Sequence, residues 1–101
     1  MRILIKIGTA VIGPRSQLDR EWLRGKVREI AARLAHGDEI LLVSSGAVAA
    51  GMELAGLTER PTAPLELQML SGIGQIPLAN CYRELFSRYG AHVAQVLLTH
   101  Y

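Results

Sequence analysis

Long apolar segments, cysteine pairs and concentrated charge are all missing from this sequence of 101 residues. No apolar run approaches the roughly 20 residues that a membrane-spanning helix needs. The short apolar start, residues 1–7, lacks the long apolar stretch and small-residue cleavage site of a signal peptide. The net charge is only +2, and the charged residues are scattered, which argues against a nucleic-acid-binding patch or a basic membrane-binding helix. We therefore expect a soluble, cytoplasmic protein.

Residues that could form disulfides or metal sites are equally scarce. The single cysteine, Cys81, cannot form an internal disulfide. Its neighbours are mostly apolar, so we interpret it as a buried small hydrophobic residue rather than a reactive thiol, which fits a reducing cytosol. His36, His92 and His100 lie far apart in the sequence. They lack the spacing of metal ligands, and we expect surface or packing roles for them.

Three short apolar runs predict strands, at residues 2–7, 39–44 and 91–98. Half of the residues are hydrophobic and a fifth are charged, a composition that favours a folded domain over a disordered chain. The first two runs are nearly continuous in leucine and β-branched residues, which is typical of strands buried on both faces.

Helical patterns fill the segments between these runs. The first begins after a possible N-cap, Asp19, and stops near Gly37. Its apolar positions follow helical spacing: Leu23, Val27, Ile30, Ala31 and Leu34.

Two more helical segments follow the second run. One is predicted to open at residues 45–47 and to end near Gly56. The other stops at residues 89–90 and contains Pro77, which should kink it or split it in two. Its apolar positions are Leu67, Leu70, Ile73, Leu78, Cys81 and Leu85.

The resulting order is strand, helix, strand, helix, helix, strand. Such alternation predicts an α/β fold with a mainly parallel sheet, right-handed crossovers and helices on both faces. Three strands are few for this fold class, so we expect the sheet to need more chain or a partner.

Two strand ends carry residues suited to an anion. At the first, Lys6 and Gly8-Thr9 offer a mobile positive charge and a backbone that an anion can approach closely. At the second, Ser45, Gly46 and Ala47 open a helix, whose first N–H groups and dipole favour an anion. Each has a plainer interpretation: a solvated lysine before a turn glycine, and an ordinary serine N-cap. The pair is more persuasive because the ends of parallel strands lie at one edge of a sheet.

Two glycine motifs fail as nucleotide signatures. Gly46 and Gly51 have the spacing of a phosphate loop, but Met52 and Glu53 follow in place of lysine and a hydroxyl residue. Gly72-Ile73-Gly74 resembles part of a dinucleotide fingerprint, but no strand precedes it.

Four segments together resemble the amino-acid kinase family, and within it the glutamate 5-kinases. They are IKIGTAVI, ILLVSSGAVAAGMELAG, SGIGQIPLANCYRELFSRYG and AHVAQVLLT. The second and third are the most specific. Gly8-Thr9 separates this chain from related kinases for N-acetylglutamate, aspartate, UMP or isopentenyl phosphate, which usually carry Gly-Gly there.

The resemblance implies roles residue by residue. Lys6 matches a catalytic lysine that contacts the ATP phosphates, and Gly8 and Thr9 match the phosphate-binding loop. Ser45 matches a glutamate-binding serine, with Gly46 and Ala47 in its loop. Gln75 matches the glutamine of a Gly-Gln helix, with no direct role assigned.

The implied fold is a three-layer α/β/α sandwich with a mainly parallel sheet, of which residues 1–101 would be the N-terminal portion. The implied reaction is phosphorylation of the L-glutamate side-chain carboxylate by ATP with Mg²⁺, the first step of proline biosynthesis. Homo-oligomers and feedback inhibition by proline would also be expected.

The family's remaining substrate and nucleotide contacts would lie beyond Tyr101, so we expect the chain alone to be inactive. Two alternatives stay open: a family member with another acceptor, or a non-catalytic binding module.

Overall fold

The computed structural model describes residues 1–8 and 18–96. In chain order its elements are strand β1, Arg2–Ile7; helix α1, Arg20–Ala35; strand β2, Glu39–Ser44; helix α2, Ala47–Ala55; and helix α3, Pro64–Ser87. The first two strands and the positions of the helices match the sequence-based predictions.

Strands β1 and β2 form a parallel pair in which Arg2 lies opposite Glu39 and Ile7 lies opposite Ser44. Between them the chain passes through α1, the connection that parallel strands require. The predicted α/β class and the parallel pairing are therefore confirmed.

Helix α1 begins and ends where its sequence signals place it. The side chain of Asp19 accepts a hydrogen bond from the backbone N–H of Trp22 at 3.1 Å, which satisfies one of the free donors of the first turn. At the other end, Gly37 has a φ of 88°, a conformation that a glycine adopts without a steric penalty. Of the predicted apolar positions, Leu34 is half-buried, and these four are buried: Leu23, Val27, Ile30 and Ala31.

One face of the sheet packs on the helices, and the other is open. Ile3, Ile5 and Ile7 alternate with exposed residues along β1. Ile7 joins the core formed with α1, α2 and the C-terminal half of α3. On the opposite face, Leu41 of β2 is 63% exposed. The expectation of strands buried on both faces is thus wrong for the part of the chain that the structure describes.

The prediction of a third strand at residues 91–98 is also wrong over residues 91–96, which have no regular secondary structure. Residues 97–98 lie outside the described residues. A strand requires hydrogen bonds to a neighbour, and the apolar run alone does not supply one. Within residues 1–8 and 18–96 there is then no second crossover that could place helices on the open face. The described residues therefore form two layers rather than the expected three.

Helix α3 is continuous from Pro64 to Ser87, with Pro77 inside it. The alternative in which Pro77 splits the segment into two helices is therefore wrong. Proline removes one N–H donor from the helical ladder, and packing along both sides of this position keeps the flanking turns together. Leu70 and Gly74 are buried before Pro77, and Leu78 and Tyr82 after it.

Glu53 fixes the start of α1 against α2. Its Oε1 accepts a 2.7 Å hydrogen bond from the backbone N–H of Leu18, and its carboxylate also pairs with the guanidinium of Arg20 at 3.0 Å. The pKa of Arg20 is raised, first by this hydrogen bond to Glu53. Arg20 is mostly exposed, so the ion pair itself adds little stability, and the bond to the buried Leu18 matters more.

Candidate functional site

The carboxyl ends of β1 and β2 lie side by side. Lys6 is opposite Val43 and Ile7 is opposite Ser44. The ladder continues one step into the loop, because the backbone N–H of Ser45 donates to the carbonyl oxygen of Ile7 at 2.9 Å. The loops that follow β1 and β2 therefore start from adjacent points on one edge of the sheet, which confirms the sequence-based prediction.

The first loop presents Lys6 and Gly8. Lys6 is exposed, and it lies between the inward-facing Ile5 and Ile7. Gly8 is also exposed and has no heavy atom within 4 Å of the position that a Cβ would take, so its backbone can be approached closely. Thr9 lies outside the described residues.

The second loop opens α2 through a glycine. Gly46 is the N-cap residue, with a φ of 119° and no side-chain cap hydrogen bond. The first helical bond runs from the N–H of Ala50 to the carbonyl of Gly46. Since helical N–H bonding starts at Ala50, the amide groups of the preceding turn have no acceptor within the helix.

This geometry decides against the plain N-cap interpretation of Ser45. A capping serine would occupy the position that Gly46 holds, and its oxygen would accept from the first turn. Ser45 instead precedes the cap and is exposed. Ser45 thus remains accessible at the sheet edge, directly before the N-terminus of α2, where Gly46 is buried and Ala47 is half-buried. A helix N-terminus is a position that favours an anionic ligand.

A hydrogen-bond chain ties this loop to α3, and sequence reasoning missed it. The Oγ of Ser44 donates to the carbonyl oxygen of Ser45 at 2.9 Å, and the hydroxyl of Tyr82 lies 2.6 Å from the same Oγ. Tyr82 is 7% exposed, and burial raises the pKa of its phenol while the bond to Ser44 lowers it. The two residues are 38 positions apart, so no local sequence signal pairs them.

Two glycines that fail as nucleotide motifs have a packing role instead. A Cβ on Gly74 would overlap the backbone of Ala47 and Gly51, and a Cβ on Gly51 would overlap the backbone of Leu70. Helices α2 and α3 therefore approach backbone to backbone at these positions. Because Ala47 is the first residue of α2, this contact also positions the loop that precedes it.

Cys81 is half-buried and packs against the core. The pKa of its thiol is raised, chiefly by burial, so the nucleophilic thiolate is disfavoured. Cys81 is thus less buried than predicted, but its contact with the core and its disfavoured thiolate agree with a small hydrophobic residue rather than a reactive thiol.

Neither a metal cluster nor a membrane span occurs in the part of the chain that the structure describes. Within residues 1–8 and 18–96, no group of three or more His, Cys, Asp or Glu side chains could hold a metal ion. Among the described helices, none is both long enough and apolar enough to cross a membrane.

Strand β1 thus ends at a lysine and a glycine, and the neighbouring strand β2 leads into the N-terminus of α2. This arrangement is typical of α/β proteins that bind anionic ligands at the strand ends. The chain belongs to the amino acid kinase family, whose family model matches residues 1–101.

Among curated proteins the similarity is to glutamate 5-kinases. The chain is 48% identical over 100 residues to glutamate 5-kinase of Thioalkalivibrio sulfidiphilus, covering 98% of this chain and 27% of that protein. It is 47% identical to the Chromohalobacter salexigens enzyme, with 98% and 26% covered. It is 45% identical to the Thermus thermophilus enzyme, with 97% and 26% covered. The chain therefore spans about a quarter of the length of these relatives.

Proposed function

We propose that this chain is the N-terminal part of an ATP-dependent kinase that phosphorylates the side-chain carboxylate of L-glutamate. The observation that carries the proposal is the identity of 48% to a glutamate 5-kinase over 98% of the chain. The product would be L-glutamyl 5-phosphate, and the enzyme would serve proline biosynthesis in the cytoplasm. The complete catalytic domain would be a three-layer α/β/α sandwich, in which further chain covers the open face of the β1–β2 sheet.

Each of the two strand-end loops would bind one of the two substrates. Lys6, Gly8 and Thr9 would bind the phosphates of ATP. Ser45, Gly46 and Ala47 would bind glutamate. The adjacency of Ile7 and Ser45 supports a shared site for both substrates, because the two reactants must meet across a short distance for phosphoryl transfer. The resemblance to glutamate 5-kinases supports the assignment of each loop to its substrate.

Catalysis of this phosphoryl transfer requires that the two substrates are positioned and that the negative charge of the phosphates is neutralised. A carboxylate oxygen of glutamate attacks the γ-phosphorus of ATP, and the bond to the β–γ bridging oxygen breaks as ADP leaves. Lys6 would lie against phosphoryl oxygens and stabilise their negative charge in the transition state. Mg²⁺ would supply further charge neutralisation on the phosphates; the described residues hold no cluster fit to bind it, and we assign it no protein ligand.

The test is product formation by the protein that the intact gene encodes. It is incubated with ATP, Mg²⁺, L-glutamate and hydroxylamine, which traps an acyl phosphate as a coloured hydroxamate. We expect ATP- and glutamate-dependent hydroxamate. N-acetylglutamate and aspartate, tested in the same assay, should give none. UMP and isopentenyl phosphate, tested by ADP release, should also give no activity.

Preference for another acceptor would show a different member of the family. The 101-residue chain alone, in the same assay, should give no hydroxamate above the background without enzyme. Turnover by this chain alone would contradict the proposal that the activity needs a longer polypeptide. Folded intact protein that transfers phosphate to none of these acceptors would favour a non-catalytic binding module.

A further inference from the structure

We propose that Tyr82 is a positioning residue for the glutamate-binding loop, acting through Ser44 on the peptide that joins Ser45 to Gly46. The inference rests on the proposed function of that loop. It adds to the site a buried residue of α3 that acts through Ser44.

The direction of the hydrogen bonds follows from counting protons. A serine hydroxyl carries one proton. The hydroxyl of Ser44 donates this proton in a 2.9 Å hydrogen bond to the carbonyl oxygen of Ser45. At the 2.6 Å contact between the two hydroxyls, Ser44 must then accept and Tyr82 must donate. The chain of hydrogen bonds runs from Tyr82 through Ser44 to the Ser45 carbonyl.

Fixing that carbonyl also fixes an amide of the site. The peptide unit is planar and trans, so the N–H of Gly46 points away from the carbonyl of Ser45. Gly46 has a φ of 119°, and a glycine there leaves the preceding peptide free of the Cβ clashes that would otherwise restrict its rotation. A hydrogen bond to the carbonyl is therefore the means by which the orientation of the Gly46 N–H is held.

The remaining contacts make Tyr82 a rigid anchor. Its ring stacks on Phe86, with centroids 6.4 Å apart, and the side chain is buried in the core. On the N-terminal side of Ser45, the backbone N–H of Ser45 donates a 2.9 Å hydrogen bond to the carbonyl oxygen of Ile7. The peptide groups on both sides of Ser45 are thus tied down, one by β1 and one by α3.

The experiment compares kinetics of Tyr82→Phe, Ser44→Ala and Ser44→Thr with the wild-type intact protein, varying glutamate and ATP. Tyr82→Phe keeps the stacked ring and removes only the hydroxyl. We expect the KM for glutamate to rise about three- to tenfold, the scale of one neutral hydrogen bond. The KM for ATP and kcat should stay within about twofold, because the lost binding energy of glutamate is equal in the ground state and the transition state.

Two further variants separate positioning from packing. Ser44→Thr keeps a hydroxyl and should retain a near-wild-type KM for glutamate, whereas Ser44→Ala should raise it. The double variant Tyr82→Phe with Ser44→Ala should be no worse than Ser44→Ala alone, because both changes break one chain of hydrogen bonds. Tyr89→Phe is the matched control, since Tyr89 is 48% exposed, and it should leave both KM values unchanged.

Ser45→Ala in the same series distinguishes the two proposals. If Ser45→Ala raises the KM for glutamate and Tyr82→Phe does not, the positioning role is overturned and the proposed function stands. If Tyr82→Phe lowers kcat and raises both KM values alike, Tyr82 has a general structural role and the inference is also overturned. If the folded protein does not phosphorylate glutamate, the proposed function fails, and this inference fails with it.

Discussion

Replacing Gly74 with alanine tests the close approach of α2 and α3. The added Cβ would lie 2.8 Å from the carbonyl carbon of Ala47, whereas ordinary van der Waals contact begins at 3.4 Å. The obstructing atoms belong to the backbone, so no side-chain rotation can relieve the overlap. The two helices would have to separate, and the start of α2 would move with them.

The expected effect is a loss of stability at a position where helix propensity predicts a gain. Overpacking of this kind costs about 1–3 kcal/mol, and alanine recovers up to about 1 kcal/mol as the better helix former. Because the obstructing atoms are backbone, we expect the upper part of that cost, so Gly74→Ala should lower the free energy of unfolding by about 1–2 kcal/mol.

Gly72 of the same helix offers a matched control. It is exposed, and nothing lies within 4 Å of the position of an added Cβ. Gly72→Ala should therefore raise the free energy of unfolding by about 0.5–1 kcal/mol. The two substitutions are chemically identical and close together on one helix, but their effects should have opposite signs.

Equilibrium urea unfolding of the intact protein, followed by circular dichroism, measures both changes. The midpoints are compared at equal slope, since a changed slope indicates a change in the unfolded state or in cooperativity. Equal stabilisation by Gly72→Ala and Gly74→Ala would refute the backbone contact between α2 and α3. It would also remove the structural reason for a glycine at position 74.

Three other predictions concern the site and its surroundings. Lys6→Ala should reduce kcat by two to four orders of magnitude, roughly 3–5 kcal/mol, because the proposed function places its charge on the transferring phosphoryl group; steady-state kinetics showing normal turnover would exclude this role. Ser45→Ala should raise the KM for glutamate by about 1–2 kcal/mol in binding free energy with little change in the KM for ATP, and an unchanged glutamate KM would contradict it. Tyr82 has a raised pKa because of burial, so the unfolded state loses this proton first and stability should fall as pH rises through about 10. Thermal unfolding between about pH 8 and 11, on either side of the ordinary tyrosine pKa, should show a smaller decline for Tyr82→Phe than for wild type, and equal declines would rule out this contribution.

Local signals in the sequence were sufficient to place β1, β2 and the helices. Asp19 and Gly37 bound α1 because capping and positive φ depend on the residue itself and its immediate neighbours. The adjacency of the Lys6 and Ser45 loops also followed from the sequence, since the ends of parallel strands share one edge. The similarity to glutamate 5-kinases was readable from four short segments.

Tertiary contacts decided the rest. The apolar run at residues 91–96 has strand composition but no strand partner among the described residues, because pairing depends on distant backbone and not on local propensity. Ile73 fits the apolar pattern of α3 but is 47% exposed, and its neighbour Gly74 is buried. A glycine carries no apolar side chain, so hydropathy could not reveal that α3 turns this position toward α2. In the same way, only the fold brings the hydroxyl of Tyr82 to Ser44, 38 residues away.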